Sequence, residues 1–178
     1  SSGRVRSKPS ICTASPPPAP PAPSAQEPQV TLTFRNGLGV DGTVVLTLNR
    51  TLAPLTVANF LSYVNSGFYN CTIIHRHSPG FVVQGGAYAS PVSVGAASLP
   101  AEKAVGAPIT LEDNAGLSNT RLTIAMARTS VPDSATSQFF INVKDNARLD
   151  AANSPDGNGY AVFGKVVDGM DVVDKIKA

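Results

Sequence analysis

Apolar and polar positions alternate with a period of two along much of this chain. Val30, Leu32 and Phe34 alternate with polar neighbours, as do Val44, Leu46 and Leu48. Asn36-Gly37 and Asp41-Gly42 punctuate the gap between them, so the pattern predicts a β-hairpin with an enlarged loop. The period then lengthens. Val57, Phe60, Leu61 and Val64 fall at i, i+3, i+4 and i+7, Pro54 suits a first helical turn, and Gly67 closes the run. A helix with a buried stripe is expected there. Two strand-like runs follow at 73–77 and 81–84, joined by the turn Ser78-Pro79-Gly80. Beyond a loop-rich span at 87–120, strands are expected at 122–126, 138–143 and 161–167. A short last helix should open near Asp168 and bury Met170, Val173 and Ile176. Many short strands with two helices predict a mainly β fold, a closed antiparallel barrel with a helix over each end.

Composition narrows what such a barrel could do. The chain of 178 residues allows one domain with a sizeable core. Only 15% of residues are charged and the net charge is +2, too little for a nucleic-acid footprint. No apolar run is long enough to cross a bilayer. Cys12 and Cys71 lack metal-ligand spacing, and His75 and His77 alone make a poor site, so no metal or cofactor is expected. Residues 1–28 form a separate segment by composition. Pro16-Pro17-Pro18-Ala19-Pro20-Pro21-Ala22-Pro23 fixes φ and removes backbone donors, which predicts an extended, semi-rigid arm ahead of a domain at 29–178. The start carries neither Met nor an apolar signal core, as a processed or engineered start would. A monomer is expected.

The chemistry concentrates between Gly67 and Gly86. Strand alternation sends Phe81 and Val83 to one side and Val82 and Gln84 to the other. Paired strands then bring Arg76, Gln84 and Phe81 together as a cation, an amide and an aromatic ring on a rigid scaffold. Such a surface suits a short neutral ligand with one carbonyl to polarise and one apolar ring to hold, as a peptidyl-proline has. His75 is read as a buried structural histidine turned away from Arg76. Cys71 has no neighbour that would activate a thiolate.

These residues carry a resemblance. Gly67-Phe68-Tyr69, Ile74-His75-Arg76, Pro79-Gly80-Phe81 and Gln84-Gly85-Gly86 stand in the order of the cyclophilin signature. Met126-Ala127-Arg128 through Gln138-Phe139-Phe140-Ile141-Asn142 is similar to the second signature of that family, and Tyr160 to Val166 to a third block. The chain therefore resembles the cyclophilin family of peptidyl-prolyl cis–trans isomerases, most nearly its exported bacterial members. The resemblance implies an eight-stranded barrel and acceleration of X-Pro bond rotation in unfolded or flexible polypeptides, with folding assistance as the physiological sense. It implies periplasmic or otherwise exported localisation, with the arm as a tether.

It also implies roles. Arg76 and Gln84 would polarise the prolyl amide, with Phe81 beside them. Phe81, Val82, Phe140 and Leu149 would form the apolar pocket for the proline ring, with Tyr160 as an aromatic wall. Backbone groups near Ala127 and Arg128 would pair with the substrate chain, with Gln138 nearby. Arg148 stands where a tryptophan helps bind the inhibitor cyclosporin, so weak inhibitor binding is expected. A further strand is implied after the last helix, and the sequence stops at Lys177-Ala178 without one. The competing function is a proline-peptide-binding chaperone or assembly module without catalysis.

Overall fold

The computed structural model describes residues 10–11, 27–35, 41–89 and 99–176. Strands β1 (Ser10–Ile11), β2 (Gln29–Arg35) and β3 (Gly42–Leu48) lead into helix α1 (Pro54–Asn65). Then come β4 (Thr72–Ser78), β5 (Val82–Ala89), β6 (Thr123–Met126), β7 (Phe139–Asn142), β8 (Val162–Asp168) and α2 (Met170–Ile176). The fold is mainly β. Strands β2 to β8 make one curled antiparallel sheet in the order β2-β3-β8-β6-β7-β5-β4. The two residues of β1 pair with β2 on one side and β4 on the other. The rest of the expected arm and the tip of the first hairpin lie outside the described residues.

The alternating hairpin forms as its pattern predicts. Val30, Leu32, Phe34, Val44, Leu46 and Leu48 all point into the core, with Leu32 paired to Val44 and Val30 to Leu46. Helix α1 lays Val57 and Phe60 on the open end of that core, with Leu61 and Val64 packed at its margin. Phe60 sits 5.1 Å from Tyr69, 5.7 Å from Phe139 and 5.0 Å from Phe163 between ring centroids. No side chain next to α1 caps its first turn. The distant carboxylate of Glu112 does so instead, accepting from Leu55 N at 3.2 Å, Thr56 N at 2.6 Å and Thr56 Oγ1 at 2.6 Å. That satisfies donors that a helix start leaves orphaned and places negative charge at the positive end of its dipole.

Three expectations need correcting. Helix α2 buries Val172, Val173 and Ile176, whereas Met170 is exposed. Met170 is its first residue, and a Cβ added at Gly42 would lie 2.6 Å from Val172 Cγ2, so Val172 takes the close approach to β3. Gly85 and Gly86 do not end a strand, because β5 runs through both to Ala89. A Cβ on Gly85 would lie 2.8 Å from Ile73 O, and Gly86 has φ of 92° with Ser137 O 2.9 Å from where its Cβ would be. Only glycine lets neighbouring backbone come this close while adopting that φ. Third, Phe81 does not share a side with Val83. It lies in the turn before β5 begins at Val82, where strand alternation does not apply.

Candidate active site

The site lies on the outer face of the sheet, and a β-bulge aims its cation. Ile74 pairs with Gly85, but Arg76 pairs with Gln84, leaving His75 as an extra residue in β4. Regular alternation would put Arg76 on the same side as the core residue Ile74. The extra residue reverses this and sends Arg76 outward beside Gln84. His75 itself is half-buried rather than buried, edge-on to Tyr88 with centroids 4.8 Å apart.

A line of polar groups crosses the face. Arg76 Nη1 donates to Gln84 Oε1 at 3.3 Å, and Gln84 Nε2 donates to Gln138 Oε1 at 3.0 Å. Beside it is a small apolar floor of Val82, Ala125, Phe140 and Val162, edged by Phe81, Leu117, Ala127, Leu149 and Tyr160. Phe140 meets Tyr160 edge-to-face with centroids 5.6 Å apart. The cavity above the floor holds about 230 Å³ and is lined by Arg76, Phe81, Val82, Gln84, Ala127, Arg128, Phe140, Leu149 and Tyr160. A larger cavity of about 470 Å³ opens between β3, β8 and residues 116–123. It pairs no guanidinium and amide against a ring-sized apolar floor, so chemistry outweighs size in choosing the site.

The structure thus gathers nine of the eleven residues expected here around one cavity. Gln138 stands behind it, holding Gln84. Arg148 stands at the rim, with its Cζ 4.4 Å from the centroid of the Phe81 ring. Arg76 Cζ lies 5.9 Å from the same ring.

A family model for "Cyclophilin type peptidyl-prolyl cis-trans isomerase/CLD" matches residues 30–178. The chain belongs to the cyclophilin family. It is 55% identical over 135 residues to peptidyl-prolyl cis-trans isomerase A of Dickeya dadantii, covering 76% of this chain and 66% of that one. To peptidyl-prolyl cis-trans isomerase B of Escherichia coli it is 52% identical over 137 residues, covering 76% and 79%. A crystal structure of a cyclophilin-type isomerase from Cryptosporidium parvum, determined in the presence of the dipeptide Ala-Pro, superposes with a TM-score of 0.59. The two are 27% identical, and the match covers 76% of this chain and 79% of that one.

Two supports of this cyclophilin site were not foreseen. Arg128 was expected to matter through its backbone, but its side chain ties down the irregular segment that leads into β8. Its Nε and Nη2 donate to Gly159 O at 3.0 and 2.8 Å, and its Cζ lies 4.6 Å over the Tyr160 ring. Beneath the floor runs a chain of amides. Asn146 Nδ2 donates to Phe81 O and to Asn142 Oδ1, both at 2.9 Å, and Asn142 Nδ2 donates to Asn119 Oδ1 at 3.1 Å. Asn119 Nδ2 in turn donates to Asp150 Oδ1 at 2.9 Å. All three asparagines are buried. The network joins the Phe81 turn to the turn Ala147–Leu149 that carries Leu149 and Arg148. Asn119 and Asn146 lie in the polar stretches Ser118-Asn119-Thr120 and Lys144-Asp145-Asn146, which read as loop, so the sequence carries no separate signal for it.

Among the described residues two carboxylates, Asp150 and Asp156, are shifted down, and Asp150 is the one tied to this amide chain. Burial pushes its carboxyl up, but hydrogen bonds from Ser118 and Asn119 outweigh this and hold it below its ordinary value. Among the described residues no group of three or more His, Cys, Asp or Glu could hold a metal ion. Among those residues no helix is long and apolar enough to cross a membrane.

Proposed function

We propose that this chain is a peptidyl-prolyl cis–trans isomerase acting on proline-containing polypeptides. The observation that carries this is the hydrogen-bonded line Arg76–Gln84–Gln138 set along an apolar floor sized for one ring. Rotation about an X-Pro bond faces a barrier of about 18–20 kcal/mol because resonance stiffens the C–N bond. Nothing covalent has to form, so no nucleophile is needed. The proline ring rests on Phe140 between Val82, Leu149 and Phe81. The Arg76 guanidinium directs a donor at the prolyl nitrogen and draws its lone pair out of conjugation. Gln84 holds Arg76 through Oε1, and its remaining Nε2 hydrogen faces the carbonyl oxygen as it swings. Backbone groups of Ala127 and Arg128 pair with the peptide along the opposite wall. Fixed donors of this kind contribute about 3 kcal/mol each where water is excluded.

Exchange spectroscopy on a short X-Pro peptide tests the reading. Catalytic amounts of the chain should exchange cis and trans signals far faster than the uncatalysed tens to hundreds of seconds. Unchanged exchange in a peptide that binds the site would leave a binding module.

Two finer readings accompany this one. The sheet is an eight-stranded barrel closed by β1, supported by the pairing of Ser10–Ile11 on both sides. A chain beginning at Gln29 should then show faster amide exchange along the edges of β2 and β4, and unchanged protection would leave the sheet open. The protein is exported, a reading supported by the proline-rich composition of residues 1–28, and cell fractionation tests it.

A further inference from the structure

The rim of the site is built from arginine. Arg76 and Arg148 flank the Phe81 ring, and Arg128 covers Tyr160. Among the described residues the ion pairs are Arg121–Asp174 and Lys175–Asp171, so none of the three rim cations is neutralised by a carboxylate. The acidic groups nearest in the chain are engaged elsewhere. Asp150 accepts from Ser118 Oγ, Asn119 N and Asn119 Nδ2. Asp113 accepts from Gly159 N, and Asp156 from Ser154 Oγ and Asn158 N.

The three arginines are not equivalent. Arg76 is held by Gln84, and Arg128 spends its donors on Gly159 O and Thr129 O. Arg148 is exposed, lies over Phe81, and makes no hydrogen bond with the described residues. Its fork of donors is therefore uncommitted at the rim of the pocket, and the Phe81 ring that Arg76 also faces holds it there. Its position is also directional. Gln138 and Ala127 lie at the end of the site where β7 begins and β6 ends. Phe81 and Arg148 lie where β5 begins and β7 ends. A peptide lying against Ala127 with its proline on Phe140 passes Arg148 within a residue of the prolyl bond.

Building on the isomerase reading, we infer that Arg148 is a specificity residue that selects substrates carrying a carboxylate on one side of the proline. The substrate class is acidic X-Pro or Pro-X segments. An exposed pair of this kind is worth about 1.5- to 5-fold. Attraction of Glu and repulsion of Lys act in opposite directions, so their ratio in kcat/KM should be about threefold to tenfold.

The experiment uses the whole chain and peptides of one neutral frame, with Glu, Gln or Lys placed before or after the proline. Exchange spectroscopy gives kcat/KM for each. At one of the two positions Glu should exceed Gln and Gln exceed Lys, with the ratio shrinking between about 50 mM and about 500 mM salt. Arg148→Gln should flatten the series, and Arg148→Glu should invert it. Inversion is a readout that loss of packing alone would not produce. Equal rates for Glu, Gln and Lys at both positions, with the Gln peptide still accelerated, overturn the inference while leaving the isomerase reading intact. So does a charge series that persists unchanged in Arg148→Gln. Failure to accelerate even the Gln peptide sinks both.

Discussion

Phe139 and Phe140 are neighbours in β7, yet they belong to different environments. Phe139 is sealed in the core inside the curled sheet, edge-on to Phe60 and Tyr69 with centroids 5.7 and 5.5 Å away. Phe140 faces outward over the floor of the site, with Tyr160 edge-on and open cavity above. The same division runs along β5, where Val83 packs inside and Val82 and Gln84 face the site. The inner face is apolar and closed. The outer face is a thin apolar floor held in place by hydrogen bonds from Asn142, Asn146 and Arg128. One face provides stability, and the other uses that rigidity to fix donors beside an unfilled pocket. Preorganisation of this kind needs the second face to be incompletely packed until substrate arrives.

The sharpest way to break this division is to remove the two rings in turn. Phe139→Ala leaves a closed cavity among Phe60, Tyr69 and Gly86, which should lower unfolding free energy by about 3–5 kcal/mol. Its kcat/KM per folded molecule should change little. Phe140→Ala enlarges a space already open, so the stability loss should approach the transfer part alone, about 1.5–3 kcal/mol, while kcat/KM falls steeply. Denaturant titration alongside exchange spectroscopy measures both. Equal stability losses with equal activity losses would mean that the two faces are one unit.

Arg76→Ala sharpens the comparison from the polar side. Removing a charged donor that acts on the transition state should reduce kcat/KM by about tenfold to a thousandfold. Because Arg76 is exposed and makes no ion pair, stability should stay within about 0.5 kcal/mol of the parent. Turnover at the parent rate would remove Arg76 from the mechanism.

What could be read in advance follows from the range of each interaction. The hairpin, α1 and the choice of Arg76, Phe81, Gln84 and Phe140 rest on periodicity or on contiguous motifs. The bulge at His75 could not be read, because an extra residue in one strand is defined only against its partner, here β5. Phe81 was placed on the wrong side because alternation was extended one residue into a turn. Met170 was counted as core because a short helix reads the same with its apolar stripe moved by two residues. Glu112 capping α1, and Asn146 holding Phe81 O, join positions 56 and 65 residues apart. No local pattern records such partners.

The rim offers a milder test on the outer face alone. A tryptophan at position 148 would offer an indole ring and an N–H donor in place of a guanidinium stacked on Phe81. The parent should bind cyclosporin weakly. Arg148→Trp should tighten it by about two- to tenfold, the scale of one aromatic contact, with no change in the inner core. Calorimetric titration of both proteins decides this. Tight binding by the parent would show that the floor of Phe140, Val82 and Leu149 suffices without the rim.

The smallest effect should come from the polar support under that rim. The folded-state pKa of Asp150 lies below its ordinary value, so the unfolded chain takes up its proton at higher pH than the folded one. The stabilisation this provides is complete above the unfolded value of about 3.9. It is lost as pH falls through the lower folded value. Asp150→Asn keeps an oxygen for Asn119 N but no longer titrates. Parent and variant should therefore differ in Tm by a roughly constant few degrees above about pH 5, converging as pH falls below about 4. Over the same interval KM should rise in the parent more than in the variant, because the turn carrying Leu149 and Arg148 loosens when Asp150 releases Ser118 and Asn119. The titratable group against Phe139 is the Tyr69 hydroxyl, which burial pushes well above its ordinary value, so near-ultraviolet signals from the inner aromatic cluster should hold steady across that interval. A difference in Tm that stayed constant down to pH 3, or inner aromatic signals that moved together with KM, would mean that Asp150 supports the whole sheet and not the outer face.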